Sequence, residues 1–143
     1  MILVMDTDTV SLLERANAEA LPLQMRLERV LESEVFTTVV TYEEQMRGWL
    51  SRVAQADTTE KLVIAYSRLI VHLETFRNLS VLPFDAESAS QFAQLRKSGV
   101  RIGTMDLRIA SIALTHDALI ITRNLSDFNK VPGLRCEDWS VLI

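Results

Sequence analysis

The run Ile2-Leu3-Val4-Met5 is apolar at every position and stops at Asp6, and no other feature of the chain constrains its fold as strongly. A strand with one solvated face alternates apolar and polar residues, whereas a continuously apolar strand is covered on both faces, as in the mostly parallel sheets of α/β proteins. The run is too short for the core of a signal peptide and far too short to cross a bilayer. It therefore reads as a buried strand whose first polar residue is a carboxylate.

Further runs of strand length fall at about Ile2–Met5, Val35–Val40, Ser80–Leu82, Leu119–Ile121 and Arg135–Glu137, with helical patterns between them. The alternation predicts an α/β fold. At 143 residues, 48% apolar and 24% charged, the chain suits one domain over 1–143 with a core of its own. Leu12, Leu13, Leu23, Leu27, Val30 and Leu31 predict one or two helices before the second strand, with Pro22 in the first turn of the second. Thr41 is a candidate cap for a helix to about Ala56, with Glu44 three residues on in a capping-box arrangement. From Thr59 to Leu79, Leu62, Tyr66, Leu69, Leu73 and Phe76 recur at spacings of four and three and form one apolar stripe. That stripe suits packing on its own domain, a dimer, or a partner groove. Asp85 opens a helix that Gly99 ends, and Gly103-Thr104 opens a buried one over 104–116.

Cys136 is the only cysteine, so no intrachain disulfide forms and no Cys/His set exists for structural zinc, which suits a reducing cytoplasm. His72 and His116 lie within helical patterns without metal-ligand spacing and read as structural or surface residues. A net charge of −4 excludes a grip on nucleic acid through overall positive charge. It leaves room for carboxylates gathered around a cation, and twelve of the fifteen basic residues are Arg, the better bidentate partner for phosphate.

In an α/β sheet, strand C-termini and helix N-termini share one edge, where ligands bind. Asp6 ends the first strand, Glu44 falls in the first turn after the second, Asp106 lies in the first turn of the 104–116 helix, and Asn124 and Asp127 follow Leu119–Ile121. Each acid has a local use as a cap or dipole partner; their shared edge is what suggests a site. Close carboxylates repel unless a cation compensates them, and Mg²⁺ or Mn²⁺ prefers such oxygen donors. The hydroxyls of Thr7 and Thr122 are placed to hold those carboxylates or their waters, or to cap turns locally.

The ordered blocks ILVMDTD, TVVTYEEQMRG, IGTMDLRIASIAL, LIITRNLSDF and VPGLRCEDW span nearly the whole chain. Together they resemble the PIN-domain ribonucleases, most closely the VapC-type toxins of bacterial toxin–antitoxin pairs. Thr41, Glu44 and Gly48 match that family's Thr-x-x-Glu-x-x-x-Gly spacing. The resemblance implies a three-layer α/β/α fold with a mostly parallel central sheet and a helical arm. It also implies a Mg²⁺- or Mn²⁺-dependent endoribonuclease with Asp6, Glu44 and Asp106 as metal-holding acids. RNA is then the substrate, a homodimer the usual state, and a small antitoxin the inhibitor. The apolar 59–79 stripe is expected to help form a groove that receives a segment of that antitoxin. The fourth position is Asn124 or Asp127, and Asp127 is preferred because it carries charge. Glu43 supplies a second acid beside Glu44, and Gln45 departs from the apolar residue usual after it.

Two other functions fit parts of the sequence. Strand-Asp-x-Asp-x-Val also suits a haloacid-dehalogenase-like phosphatase, with Asp6 as nucleophile and Asp8 as general acid/base, but the acidic pair required after Leu119–Ile121 is missing and Lys97 is only a generic lysine. A non-catalytic PIN-like binding module is the second, against which all three core acids are present.

Overall fold

A computed structural model describes residues 1–141. The chain runs β1 (Leu3–Met5), α1 (Thr7–Arg15), a 3-10 turn (Ala18–Ala20), α2 (Leu21–Leu27), a second 3-10 turn (Glu32–Glu34) and β2 (Val35–Thr38). It continues through α3 (Val39–Gln55), α4 (Thr59–Asn78), β3 (Ser80–Leu82), α5 (Ala86–Lys97), α6 (Thr104–Thr115), β4 (Leu119–Ile121), α7 (Leu125–Phe128) and β5 (Arg135–Glu137). The sheet order is β3-β2-β1-β4-β5, and every pairing is parallel.

Alternation of side chains along β1 and β4 divides the core in two. Leu3, Met5, Leu119 and Ile121 pack with Val10, Leu12 and Leu23 from α1 and α2 on one face. Val4 and Ile120 pack with Val40, Leu95, Ile112 and Phe128 from α3, α5, α6 and α7 on the other. The result is the expected three-layer α/β/α arrangement. The two helices expected before β2 are present, with Pro22 in the first turn of α2. Asp85 caps α5 through Ser88 N, and Gly99, at φ +83°, takes the left-handed conformation beyond its end.

Three expectations are corrected. The second strand ends at Thr38 rather than Val40, because Thr38 is the cap of α3: its side chain accepts from Thr41 N. Thr41 is therefore inside the helix, and Glu44 stands in the second turn of α3, not in a capping box. The 59–79 stripe is not one face. Leu62, Leu69 and Phe76 are half-buried beside fully buried Ala65 and His72, while Tyr66 and Leu73 are exposed. Large residues alone misplace the inward face, because an alanine and a histidine fill part of it.

His72 holds α4 against α3. Its ring is 1% exposed and lies 5.6 Å from Tyr42, 6.5 Å from Trp49 and 4.8 Å from Phe76, centroid to centroid. Neither ring nitrogen has a hydrogen-bond partner, and burial holds its pKa below the ordinary 6.5. Protonation is thus harder in the folded state than in the unfolded one. This residue's contribution is complete above pH 6.5 and is lost as pH falls through its lowered folded value. The His72→Phe variant should lose less melting temperature than wild type between about pH 6.5 and pH 5, where the unmodified imidazole titrates; parallel thermal melts across that range check it.

Candidate acidic site

The sheet order places its topological switch between β1 and β4: the chain leaves β1 toward β2 and β3, then returns to pair β4 on the other side of β1. Crevices at such points collect ligands. The residues immediately after these two strands are Asp6 and Thr122, and they meet there. Thr122 Oγ1 donates to Asp6 Oδ2 at 2.6 Å, and Thr9 N donates to Asp6 Oδ1 at 3.0 Å. Asp6 is only 4% exposed. It caps α1 at the end of β1, and a role as cap leaves its second oxygen to Thr122 at the switch point. Burial raises its pKa although both hydrogen bonds lower it.

Glu44 is oriented from across the sheet. Thr7 Oγ1, in the first turn of α1, donates to Glu44 Oε1 and lies 3.1 Å from Thr41 Oγ1. Glu43, the alternative acid, instead pairs with Arg47 one turn along. Asp106 stands in the first turn of α6, whose N-terminus is capped by Gly103 without a side-chain hydrogen bond. Burial, followed by the charges of Asp6, Glu44 and Asp127, pushes the Asp106 carboxyl up to about 6. Asn124 Nδ2 donates to Asp127 Oδ2 at 3.0 Å, while Lys130 approaches the other oxygen of Asp127 at 3.4 Å. These bonds lower the pKa of Asp127. The two candidates for the fourth position are thus a bonded pair.

The charges of Asp6, Glu44 and Asp127 all act on Asp106, and every donor in the set is an oxygen, the chemistry that suits Mg²⁺ or Mn²⁺. Among the described residues no group of three or more His, Cys, Asp or Glu side chains is placed to hold a metal ion. An ion that keeps several of its waters needs fewer protein ligands, and the carboxylate oxygens of Asp6 and Asp106 are donors of the kind such an ion takes.

Asp8 is not free for acid/base work. Arg123 binds it through two hydrogen bonds, Nε at 2.7 Å and Nη2 at 2.9 Å, and lowers its pKa. That clamp removes the second carboxylate a phosphatase of the dehalogenase kind requires. Comparison decides the family: the model of the PIN domain matches residues 5–134.

The chain belongs to the PIN-domain family.

Among PIN-domain relatives, the tRNA(fMet)-specific endonuclease VapC of Salmonella typhimurium is 33% identical over 81 residues, 53% of this chain and 61% of that protein. Ribonuclease VapC2 of Rickettsia felis is 34% identical over 65 residues, 43% of this chain and 48% of that protein. The matches thus span about half the length of these curated relatives. Among solved structures, DNA-bound VapBC from Salmonella typhimurium superposes with a TM-score of 0.73 at 25% identity, covering 97% of this chain and 98% of that one.

The sequence marked Gln45 as a departure from the family pattern but missed its partner Ser11: Gln45 Nε2 donates to Ser11 Oγ at 3.0 Å and joins α1 to α3 beside Glu44. The available signal was Gln45 itself, a polar residue in an otherwise apolar position.

Because Asp106 holds its proton more tightly folded than unfolded, the metal-free fold gains stability as pH falls through about 6 toward its ordinary 3.8 and loses it as pH rises. In EDTA at pH 8, Asp106→Asn should melt roughly 2–5 °C above wild type, and the difference should vanish near pH 4. Differential scanning calorimetry at both pH values measures it.

Proposed function

We propose that this protein is a metal-dependent endoribonuclease, the toxin of a type II toxin–antitoxin pair. The observation that supports the reading is that the charges of Asp6, Glu44 and Asp127 all reach Asp106 and, after burial, help to raise its carboxyl. The VapC ribonucleases among its relatives supply the reaction class. Mg²⁺ or Mn²⁺, when bound, would offset phosphodiester charge and acidify a water.

The chain's own residues provide the rest. Thr122 and Thr9 fix both oxygens of Asp6, leaving their remaining lone pairs toward the crevice. Asp106 sits at the positive end of α6, which favours its ionised form once a cation is present. Thr7 holds the Glu44 carboxylate in one orientation, where it can accept a proton from water attacking the phosphorus. Asn124 orients Asp127, which takes the fourth place and adds negative charge to the cation's surroundings. RNA is the substrate class, and the tRNA(fMet) named for the Salmonella relative is the first substrate to test.

A small antitoxin is the proposed inhibitor and a homodimer the proposed state. The outer face of α4 offers the surface: Val63, Tyr66, Ile70 and Leu73, at spacings of three, four and three, are 64%, 54%, 55% and 52% exposed. An apolar helix face of this kind receives an amphipathic segment. Solved relatives of the fold include VapBC complexes. No helix among the described residues is long and apolar enough to cross a membrane.

Purified chain should cleave RNA in Mg²⁺ or Mn²⁺ and stop in EDTA. Asp6→Asn, Glu44→Gln and Asp106→Asn should each lower cleavage about 100-fold or more while remaining folded, with a smaller loss for Asp127→Asn. Full activity in chelator, or three folded variants at wild-type rates, refutes the assignment; a folded chain that binds an antitoxin but never cleaves RNA points to the non-catalytic module. Separately, Ile70→Glu should weaken antitoxin capture or dimerisation by about tenfold or more, the scale of one buried apolar anchor, at unchanged melting temperature. Light scattering and titration with the cognate antitoxin measure this.

A further inference from the structure

A chain of cavities runs from the acidic site along the cleft between α1, α3 and α4. The first, about 210 Å³, is lined by Thr7 and Glu44 at one end and by Gly48, Trp49 and Arg52 at the other. Ser11, Trp49 and Arg52 also line the second, of about 340 Å³, which adds Glu14, Arg15 and Arg68. Arg52 and Arg68 then wall a third, of about 290 Å³, that reaches Lys61.

Four observations give this path its chemistry. In a chain of net charge −4, it gathers Arg15, Arg52 and Arg68, none of which forms an ion pair among the described residues. Arg52 lies over the ring of Trp49, 4.7 Å from its centroid, so a half-buried aromatic ring is presented beside a free guanidinium. Gln45, only 8% exposed, lines the first cavity and leaves Oε1 without a partner, and Glu14, which lines the second, leaves its Oε1 without one as well. Burial raises the Glu14 carboxyl's pKa, which weakens its opposition to an anion.

The fourth observation is Gly48. Glycine inside a helix is unfavourable relative to alanine, yet a Cβ at Gly48 would meet no atom within 4 Å. Neither packing nor backbone conformation requires glycine there. Its place in the wall of the first cavity, between Glu44 and Trp49, gives its smallness a use: it keeps the passage open.

Building on the proposed endoribonuclease, we infer that this cleft is a subsite for single-stranded RNA flanking the scissile bond. Arg52 and Arg68 bind its phosphates, Trp49 stacks a base, and the free oxygens of Gln45 and Glu14 accept from base amino groups. Arginine suits phosphate, aromatic rings carry unpaired bases, and amide or carboxyl acceptors read base edges. Glu44 to Arg52 spans about 12 Å of helix, several stacked steps of about 3.4 Å, so the cleft takes neighbouring nucleotides rather than the reacting one. The subsite makes cleavage depend on RNA length and on the bases flanking the cut.

The test uses a fluorescein-labelled, unstructured 12-nucleotide RNA and a dinucleotide. In EDTA, anisotropy reads binding of the 12-mer without cleavage. Arg52→Gln with Arg68→Gln should weaken it at least tenfold and reduce the salt slope by about 1.4, the share of two single-strand phosphate contacts. Trp49→Leu should weaken binding roughly fivefold or more. Gly48→Leu should weaken it too while keeping or raising the melting temperature, an outcome a purely structural glycine would not give. In Mg²⁺, these variants should raise KM for the 12-mer by a larger factor than for the dinucleotide, which reaches fewer of these residues. Wild-type affinity and salt slope in all of them overturns the subsite, as does unchanged RNA binding with lost inhibition by the antitoxin, which would assign the cleft to a protein segment. Absence of RNA cleavage by the wild type, with the binding differences intact, would instead refute the nuclease reading and keep the RNA cleft.

Discussion

The hydrogen bond from Thr122 to Asp6 depends on β1 and β4 being neighbours, and that adjacency organises the molecule. β1 is the middle strand, paired on one side to β2 and on the other to β4, and its side chains enter both cores. Its continuous apolar sequence is the cost-free statement of that position, since no side chain along it meets water. At its end the chain must turn, and the first residue that can accept hydrogen bonds, Asp6, receives one from its own helix and one from the far side of the switch point. The Asp8–Arg123 pair repeats the connection at the solvent boundary. Two successive acidic residues of the same polarity thus have opposite roles because one points into the crevice and the other is neutralised outside it.

Much of this was legible because the acids stand at junctions. An apolar run that stops at a carboxylate, or a small-residue helix that opens two residues before one, marks a strand end or helix start without any knowledge of packing. What escaped the sequence was decided by competition or by contact. Val39 and Val40 are β-branched and extend a strand pattern, yet Thr38 captures the Thr41 amide and starts the helix earlier. The inward face of α4 was misdrawn because His72, not a large aliphatic residue, packs against Tyr42, Trp49 and Phe76. Ser11 and Gln45 could not be paired at all before α1 and α3 were seen to touch, since they are 34 positions apart.

The distribution of charge also becomes intelligible. A net negative chain would repel a polyanion everywhere if its charges were evenly spread. Here a few carboxylates gather near the switch point around Asp106, and guanidinium groups without carboxylate partners line the adjoining cleft. The sign of the whole molecule therefore says little about what a few of its surfaces attract.

The joining of β1 to β4 carries a consequence for synthesis. Asp6 is made 116 positions before Thr122, whose hydroxyl fastens it, and Asp127 comes later still. Until β4 has been made, β1 lacks one of its two neighbours and the crevice has only one wall. The order of synthesis therefore fixes an order of assembly: the carboxylate precedes the hydroxyl that fastens it, and the crevice closes only when β4 docks beside β1.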